Sequence, residues 1–305
     1  MQQFKNILVY IDLDSSKSEG LARAVQLAKS NRAKLTAVTA VEPPSWLDEA
    51  FSSEAARHFE DHLAETETEL RRRTADRVEG LETDFRVLRG AAWSVLIRDV
   101  LQERRDLLIK DAQPDGGVFG DHTDNRLLRK CPCPVWLVKQ RVERFRRIAA
   151  AVDVHPDAHE RDAFNAKICE LASALAWRDQ AELQIVRAWS FPGESLLAGR
   201  MQADELALIK KESRRKLDQH LQEFAAKYAK PHVDTHIQLV EGDPHEVLPA
   251  IVDQEHEDLL VMGTVARSGV AGWFIGNTAE KILGQTQCSV LAIKPEDFVS
   301  PVLPG

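Results

Sequence analysis

The chain has 305 residues, with 48 acidic against 40 basic side chains and a formal charge of −8. That length predicts two domains, each large enough to bury a full core, and the acidic balance argues against a nucleic-acid backbone or an anionic membrane surface as partner. No run reaches the about eighteen apolar residues of a membrane span, so no membrane insertion is expected. The four cysteines show no secreted framework, and MQQFKNILVYID enters a strand pattern directly, so a cytoplasmic location is expected.

Short β-branched runs alternate with longer amphipathic stretches, the pattern of βαβ units around a parallel sheet. The spacing predicts strands over Ile7–Ile11, Lys34–Val41, Asp84–Leu88, Leu107–Lys110 and Val135–Val138. Between them it predicts helices over Ser18–Ser30, about Asp48–Glu79, Trp93–Glu103 and Asn125–Lys130. The pattern then starts again. FKNILVYIDLD from Phe4 aligns with FRRIAAAVDVH from Phe145, each strand ending at an Asp, Asp12 or Asp153. The 22 residues from Arg89 to Lys110 align without a gap on Glu241 to Met262, and CPVWLVK from Cys133 aligns on CSVLAIK from Cys288. The chain therefore reads as two α/β domains, residues 1–140 and 145–305, whose join is too short for a flexible tether. Their short, apolar last strands are expected to pair with each other across the two domains, and a further homodimer of the whole chain is compatible with this plan. In the second copy, Asp243-Pro244-His245-Glu246 predicts a helix start with a capping box; Ala91-Ala92-Trp93-Ser94 of the first copy lacks one.

The second copy also carries GTVARSGVAGWFIGNTAEK, four glycines between Gly263 and Gly276, directly after a predicted strand Leu259–Met262 and leading into a predicted helix Ala279–Leu283. Beyond the carboxyl end of a parallel strand, such a loop offers free N–H groups and the Thr278 hydroxyl to an anion. The alternative is a loop whose glycines serve turns only. It is neither GxxxxGK[ST] nor GxGxxG, so the Walker and dinucleotide readings fall away. The first copy has KDAQPDGGVFGDHTDNRLLRK here, without the opening glycine, and Asp111 would confront a phosphate. Its Lys110 replaces Met262 and is expected to pair with Asp12 inside a lost site rather than to act as a catalytic amine.

These residues resemble the universal stress proteins, and more narrowly the E-type class that fuses two such domains. The Asp at the first strand end, the GDP helix start, DLLVMG and NTAEKIL carry the resemblance over nearly the whole of both copies. It implies two tandem doubly wound parallel sheets, Rossmann-like and of the adenine nucleotide alpha hydrolase-like type, with strand order 3-2-1-4-5. The family's nucleotide loop has the form G, two residues, G, nine residues, G, then Ser or Thr. Gly263 and Gly276 match the first and third glycines, Ala266 stands at the second, and Asn277 replaces the hydroxyl residue with Thr278 beside it. The resemblance implies adenine and ribose contacts at Ala151, Asp153 and Ala188, with Met262 at the strand end. It implies phosphate contacts at Gly263, Val265, Ala266, Gly276, Asn277 and Thr278, and Arg267 is placed to meet phosphate charge.

The expected function is a stress-response sensor or regulator whose second domain binds ATP or AMP, with a divalent cation accompanying the nucleotide and no obligatory catalysis. Two other readings stay open. One is slow ATP hydrolysis, for which Val265 supplies no general base. The other is a hydrophobic or acyl ligand held by Ala151, Ala188, Trp189, Ala266 and the segment Phe191–Met201, with Trp273 and Phe274 adding apolar surface. Three further features read as structural. Cys131-Pro132-Cys133-Pro134 is a turn into an edge strand. The pairs His155/His159 and His232/His236 lack companion metal ligands. Arg71–Arg73 lies among glutamates on a solvated helix face.

Overall fold

The computed structural model describes residues 4–44, 53–113, 123–139, 143–156, 162–191, 193–264, 281–282 and 284–303. These fall into two compact units, one reaching to Glu143 and joined by the stretch from Asp297, the other running from Arg144 and ending at Glu296.

The first unit contains β1 (Asn6–Tyr10), α1 (Glu19–Asn31), β2 (Lys34–Val41), α2 (Ser53–Val78), β3 (Thr83–Arg89), α3 (Ala92–Gln102), β4 (Leu107–Asp111), α4 (Thr123–Lys130) and β5 (Val135–Val138). Its strands run in the order β3-β2-β1-β4-β5, every pair parallel. The second unit contains β6 (Arg147–Ala151), α5 (Asp162–Asp179), β7 (Glu182–Trp189), α6 (Glu194–Ala198), α7 (Ala203–Tyr228), β8 (Thr235–Glu241), α8 (Pro244–Gln254), β9 (Leu259–Gly263) and β10 (Ser289–Ile293). Its order, β10-β9-β6-β7-β8, is the same doubly wound topology, again all parallel. The expected 3-2-1-4-5 order is thus present in both units.

Strands covered by helices on both faces need apolar side chains on both. Leu107, Leu108 and Ile109 of β4, and Leu259, Leu260 and Val261 of β9, are accordingly fully buried. Helix α1 turns one stripe inward, with Leu21, Ala24, Val25, Leu27 and Ala28 buried, and stops at Arg32, whose left-handed φ of 50° sends its own N–H back to the last carbonyls. Helix α8 begins as predicted at Asp243-Pro244, but the capping box is not formed. Asp243 makes no side-chain cap bond; Pro244 sits in the first turn, and the Asp243 carbonyl receives the N–H groups of Glu246 and Val247 at 3.0 and 2.9 Å. Pro's fixed φ and missing N–H suffice to start the helix. Arg71, Arg72 and Arg73 pair with Glu67 and Glu69 on the exposed face of α2.

At the amino-terminal ends of the first unit's strands lies a buried polar cluster. The side chain of Arg105, just past α3, is fully buried. Its guanidinium donates to Asp99 Oδ1 at 2.8 Å, Asn6 Oδ1 at 2.9 Å and Thr36 Oγ1 at 2.7 Å, while Arg86 reaches Glu103 at 2.7 Å and Asp99 at 3.3 Å. A buried guanidinium is tolerable only with such a set of acceptors. Replacing Arg105 by Met leaves Asp99 buried with only the longer Arg86 contact. Urea denaturation should show the protein destabilised by about 3 kcal/mol, far beyond a surface Arg→Met change.

Candidate functional site

In an open parallel sheet, ligands enter beyond the carboxyl ends of the strands where the strand order reverses. In the second unit that point lies at β6, which has β7 on one side and β9 on the other. The register sets Ala151 beside Val186 and beside Met262. Two residues on, the Asp153 N–H donates to Asn165 Oδ1 at 2.9 Å and Asn165 Nδ2 donates back to the Asp153 carbonyl at 3.0 Å. This reciprocal pair fixes the Asp153 backbone on the first turn of α5 and leaves its side chain 72% exposed, with Oδ1 3.8 Å from Nη2 of the buried Arg187. Ala188 follows Arg187 in β7 and is half-buried.

Gly263 closes β9. A β-carbon there would stand 2.5 Å from Cε1 of Phe164 in α5, so a larger residue at this position has to push the half-buried ring aside. Thr264 is buried, its N–H donating to the Ile293 carbonyl at 3.2 Å and its hydroxyl bonded to the ammonium of Lys294, also buried. Five expected site residues, Ala151, Asp153, Ala188, Met262 and Gly263, therefore stand at the carboxyl ends of three adjacent strands. Val265, Ala266, Arg267, Gly276, Asn277 and Thr278 lie outside the described residues. Small or uncharged side chains, an exposed carboxylate able to accept from ribose hydroxyls, and the nearby cations Arg187 and Lys294 make the described part a fit for a nucleotide. The sequence reading missed Arg187, Asn165 and Lys294. Two signals were available: Arg187 interrupts the apolar run of its strand, and Lys294 repeats Lys139 of the first copy.

In the first unit the same point is filled. Tyr10 and Lys110 take the register positions of Ala151 and Met262. Lys110 is 2% exposed; its ammonium donates to Asp124 Oδ1 and to the Asp111 carbonyl at 2.8 Å, and Asp124 Oδ2 accepts the Gln113 N–H at 2.8 Å. Asp111 turns its carboxylate to the Gly20 N–H at 2.7 Å, in the first turn of α1. Burial nevertheless pushes the Asp111 carboxyl above the usual range. The Tyr10 phenol is pushed up to about 12, by burial first and then by Asp12, Asp14 and Asp124. The partner of Lys110 is thus Asp124, not Asp12 as the sequence suggested. Asp12 lies past the end of β1 and spends its Oδ1 on the Asp14 N–H at 3.0 Å, closing its own turn. Asp124, in the first turn of α4, is brought over the end of β4 instead.

The Cys131-Pro132-Cys133-Pro134 turn behaves as local structure. Cys131 and Cys133 are buried thiols with sulfurs 3.6 Å apart, and burial pushes the Cys133 thiol far up, which suppresses the reactive thiolate. His236 lies 3.7 Å from Asp234, His159 falls outside the described residues, and among the described residues no three metal-ligating side chains converge.

The duplicated topology has a counterpart among known proteins. The sequence profile of the universal stress protein family matches residues 3–139 and again residues 144–294. The chain belongs to the universal stress protein family. Relatives of similar length include the universal stress protein E homolog of Haemophilus influenzae, 28% identical over 307 residues that cover 96% of this chain and 98% of that one. Universal stress protein E of Escherichia coli K12 is 27% identical over 317 residues, covering 99% and 98%. Among solved structures, a functionally unknown protein from Pseudomonas aeruginosa superposes with a TM-score of 0.70 at 26% identity, covering 97% of this chain and 94% of its own. Family membership therefore extends over both units, and no helix among the described residues is long and apolar enough to cross a membrane.

Breaking a buried ion pair from one side strands the other charge, which commonly costs about 3–5 kcal/mol, whereas removing both is milder. Lys110→Met and Asp124→Leu should each destabilise the protein by that order, and the double variant should recover part of the loss. A double-mutant cycle by urea denaturation checks this, additive effects being the outcome that removes the coupling.

Proposed function

We propose that this universal stress protein binds an adenine nucleotide, ATP or AMP, in its second domain, and acts as a stress-response sensor or regulator without obligatory catalysis. The observation that carries this reading is the contrast at one register position. Ala151 and Met262 occupy the switch point of the second unit, where Tyr10, Lys110, Asp111 and Asp124 crowd the first. The exposed carboxylate of Asp153, a residue whose backbone Asn165 holds, is the ribose acceptor. The loop residues Val265, Ala266, Arg267, Gly276, Asn277 and Thr278 take the phosphates, with a divalent cation accompanying the nucleotide. Residues 1–140 then form a domain whose own site is closed, and residues 145–305 form the ligand-binding domain. A cytoplasmic location agrees with an adenine nucleotide as ligand.

Calorimetric titration of ATP and AMP into the full chain tests the assignment. Asp153→Ala and Gly276→Val should each weaken binding at least tenfold, about 1.4 kcal/mol, whereas Asp12→Ala should leave it unchanged. Equal loss from Asp12→Ala would overturn the asymmetry between domains. Mass spectrometry of molecules released on denaturing freshly purified protein separates the readings further, since a recovered acyl compound would favour the hydrophobic-ligand alternative.

A further inference from the structure

At the opposite, amino-terminal ends of β6, β7 and β8, a cavity of about 350 Å³ opens in the second unit. Its wall includes Glu257, a carboxyl side chain on a residue only 7% exposed, whose Oε2 has no hydrogen-bond partner among the described residues, and Gln184, whose buried Oε1 has none among them either. Burying an acceptor without a donor is costly, so each such atom calls for an explanation. Arg147 of β6 does not supply the donor to Oε2: its guanidinium is engaged with Glu182 Oε2 at 3.1 Å, Glu255 Oε2 at 3.2 Å and the Glu255 carbonyl at 2.8 Å. From β8, His236 lines the same wall.

The first unit shows what this place accommodates. The gapless alignment of residues 89–110 on 241–262 sets Arg105 opposite Glu257 and Asp99 opposite Ile251. The strand registers set Asn6 opposite Arg147 and Thr36 opposite Gln184. Where Arg105 donates to Asp99, Asn6 and Thr36, the second unit brings a carboxyl and an amide oxygen to the same part of the fold. Donor and acceptor have been exchanged: one unit holds a guanidinium of its own, the other presents the acceptors that a guanidinium would need.

We propose that this cavity is a binding site for a small guanidinium-type organic cation, which donates N–H groups to Glu257 Oε2 and Gln184 Oε1. A planar fork of donors matches two separated acceptors better than a single ammonium does. The charge around Glu257 suits a cation, since Glu182, Glu255 and Asp258 outnumber Arg147, and the volume lies in the range of ordinary small-ligand pockets. The site is distinct from the nucleotide site, at the other end of the strands, and does not depend on that reading.

Proton linkage gives the site a signature. Burial above all, and the neighbouring Asp258, Glu255 and Glu182 against the opposing Arg147, push the Glu257 carboxyl up to about 8. Below that pH the free protein holds a proton on Glu257, which an arriving cation must displace. Affinity should therefore rise with pH, by up to about tenfold per unit below pH 8, and level off above it. The test titrates methylguanidinium into the full chain by calorimetry at about pH 7 and about pH 9, in buffers of different ionisation enthalpy. Saturable binding with proton release at the lower pH is expected, together with at least tenfold weaker binding by Glu257→Gln at the higher pH. Tetramethylammonium, of the same charge but without N–H donors, should not bind saturably. Thermal unfolding verifies that Glu257→Gln is folded; if it is not, the wild-type proton release and the tetramethylammonium comparison decide. No saturable binding by the wild type, equal binding of tetramethylammonium, or unchanged affinity in folded Glu257→Gln would each overturn the proposal.

Discussion

The buried ion pair between Lys110 and Asp124 governs how the two copies of this fold differ. In a doubly wound sheet the carboxyl ends of two neighbouring strands converge on one small region, and a long side chain rising from either strand fills it. Lys110 is such a side chain, and it remains buried because Asp124 and the Asp111 carbonyl receive its donors. Asp124 in turn stands in the first turn of α4, where the helix dipole favours a negative charge. The carboxylates of Asp111 and Asp124 thus hold helix-start positions that an external phosphate would otherwise seek. An anion approaching the first unit meets negative charge already satisfied by the protein.

The second unit keeps the backbone plan and removes the charges. Ala151 and Met262 stand in the same register, and β9 ends on a glycine whose place for a β-carbon lies against the ring of Phe164. A glycine at this position therefore also makes room for the Phe164 ring of α5, which a larger residue would displace whether or not a ligand binds. Around the strand ends of this unit stand Asp153, its backbone held by Asn165 and its carboxylate 3.8 Å from the buried Arg187, and the buried Lys294 bonded to Thr264.

The amino-terminal ends of the strands show the same divergence with opposite sign. Arg105 donates through Nε and Nη1 to three acceptors within its own unit, while its Nη2 finds none among the described residues; Glu257, at the equivalent position, carries an oxygen without a partner among the described residues. A duplicated fold offers each position twice, so a polar network needed for stability in one copy is free to become a cavity in the other, provided the remaining core carries the fold. Here the apolar runs of β6, β7 and β9 do so.

Much of this was legible in the sequence. The alternation of β-branched runs and amphipathic stretches placed the strands and helices of the first unit to within about five residues, because parallel strands buried on both faces must be continuously apolar. The internal repeat exposed the duplication, and the family resemblance pointed to Ala151, Asp153, Ala188, Met262 and Gly263, which stand at the strand ends. Side-chain partners were not legible in the same way. Asp12 was a reasonable partner for Lys110 on strand order alone, but order does not say which carboxylate a turn has already engaged, and only the folded backbone shows Asp12 bonded to its own turn and Asp124 carried over the end of β4. The capping box at Asp243 failed similarly, since proline and backbone bonds had already started the helix. Periodicity is a property of one chain segment and survives in the sequence. Pairing depends on distances between segments far apart in the chain, which the packing of helices on the sheet decides.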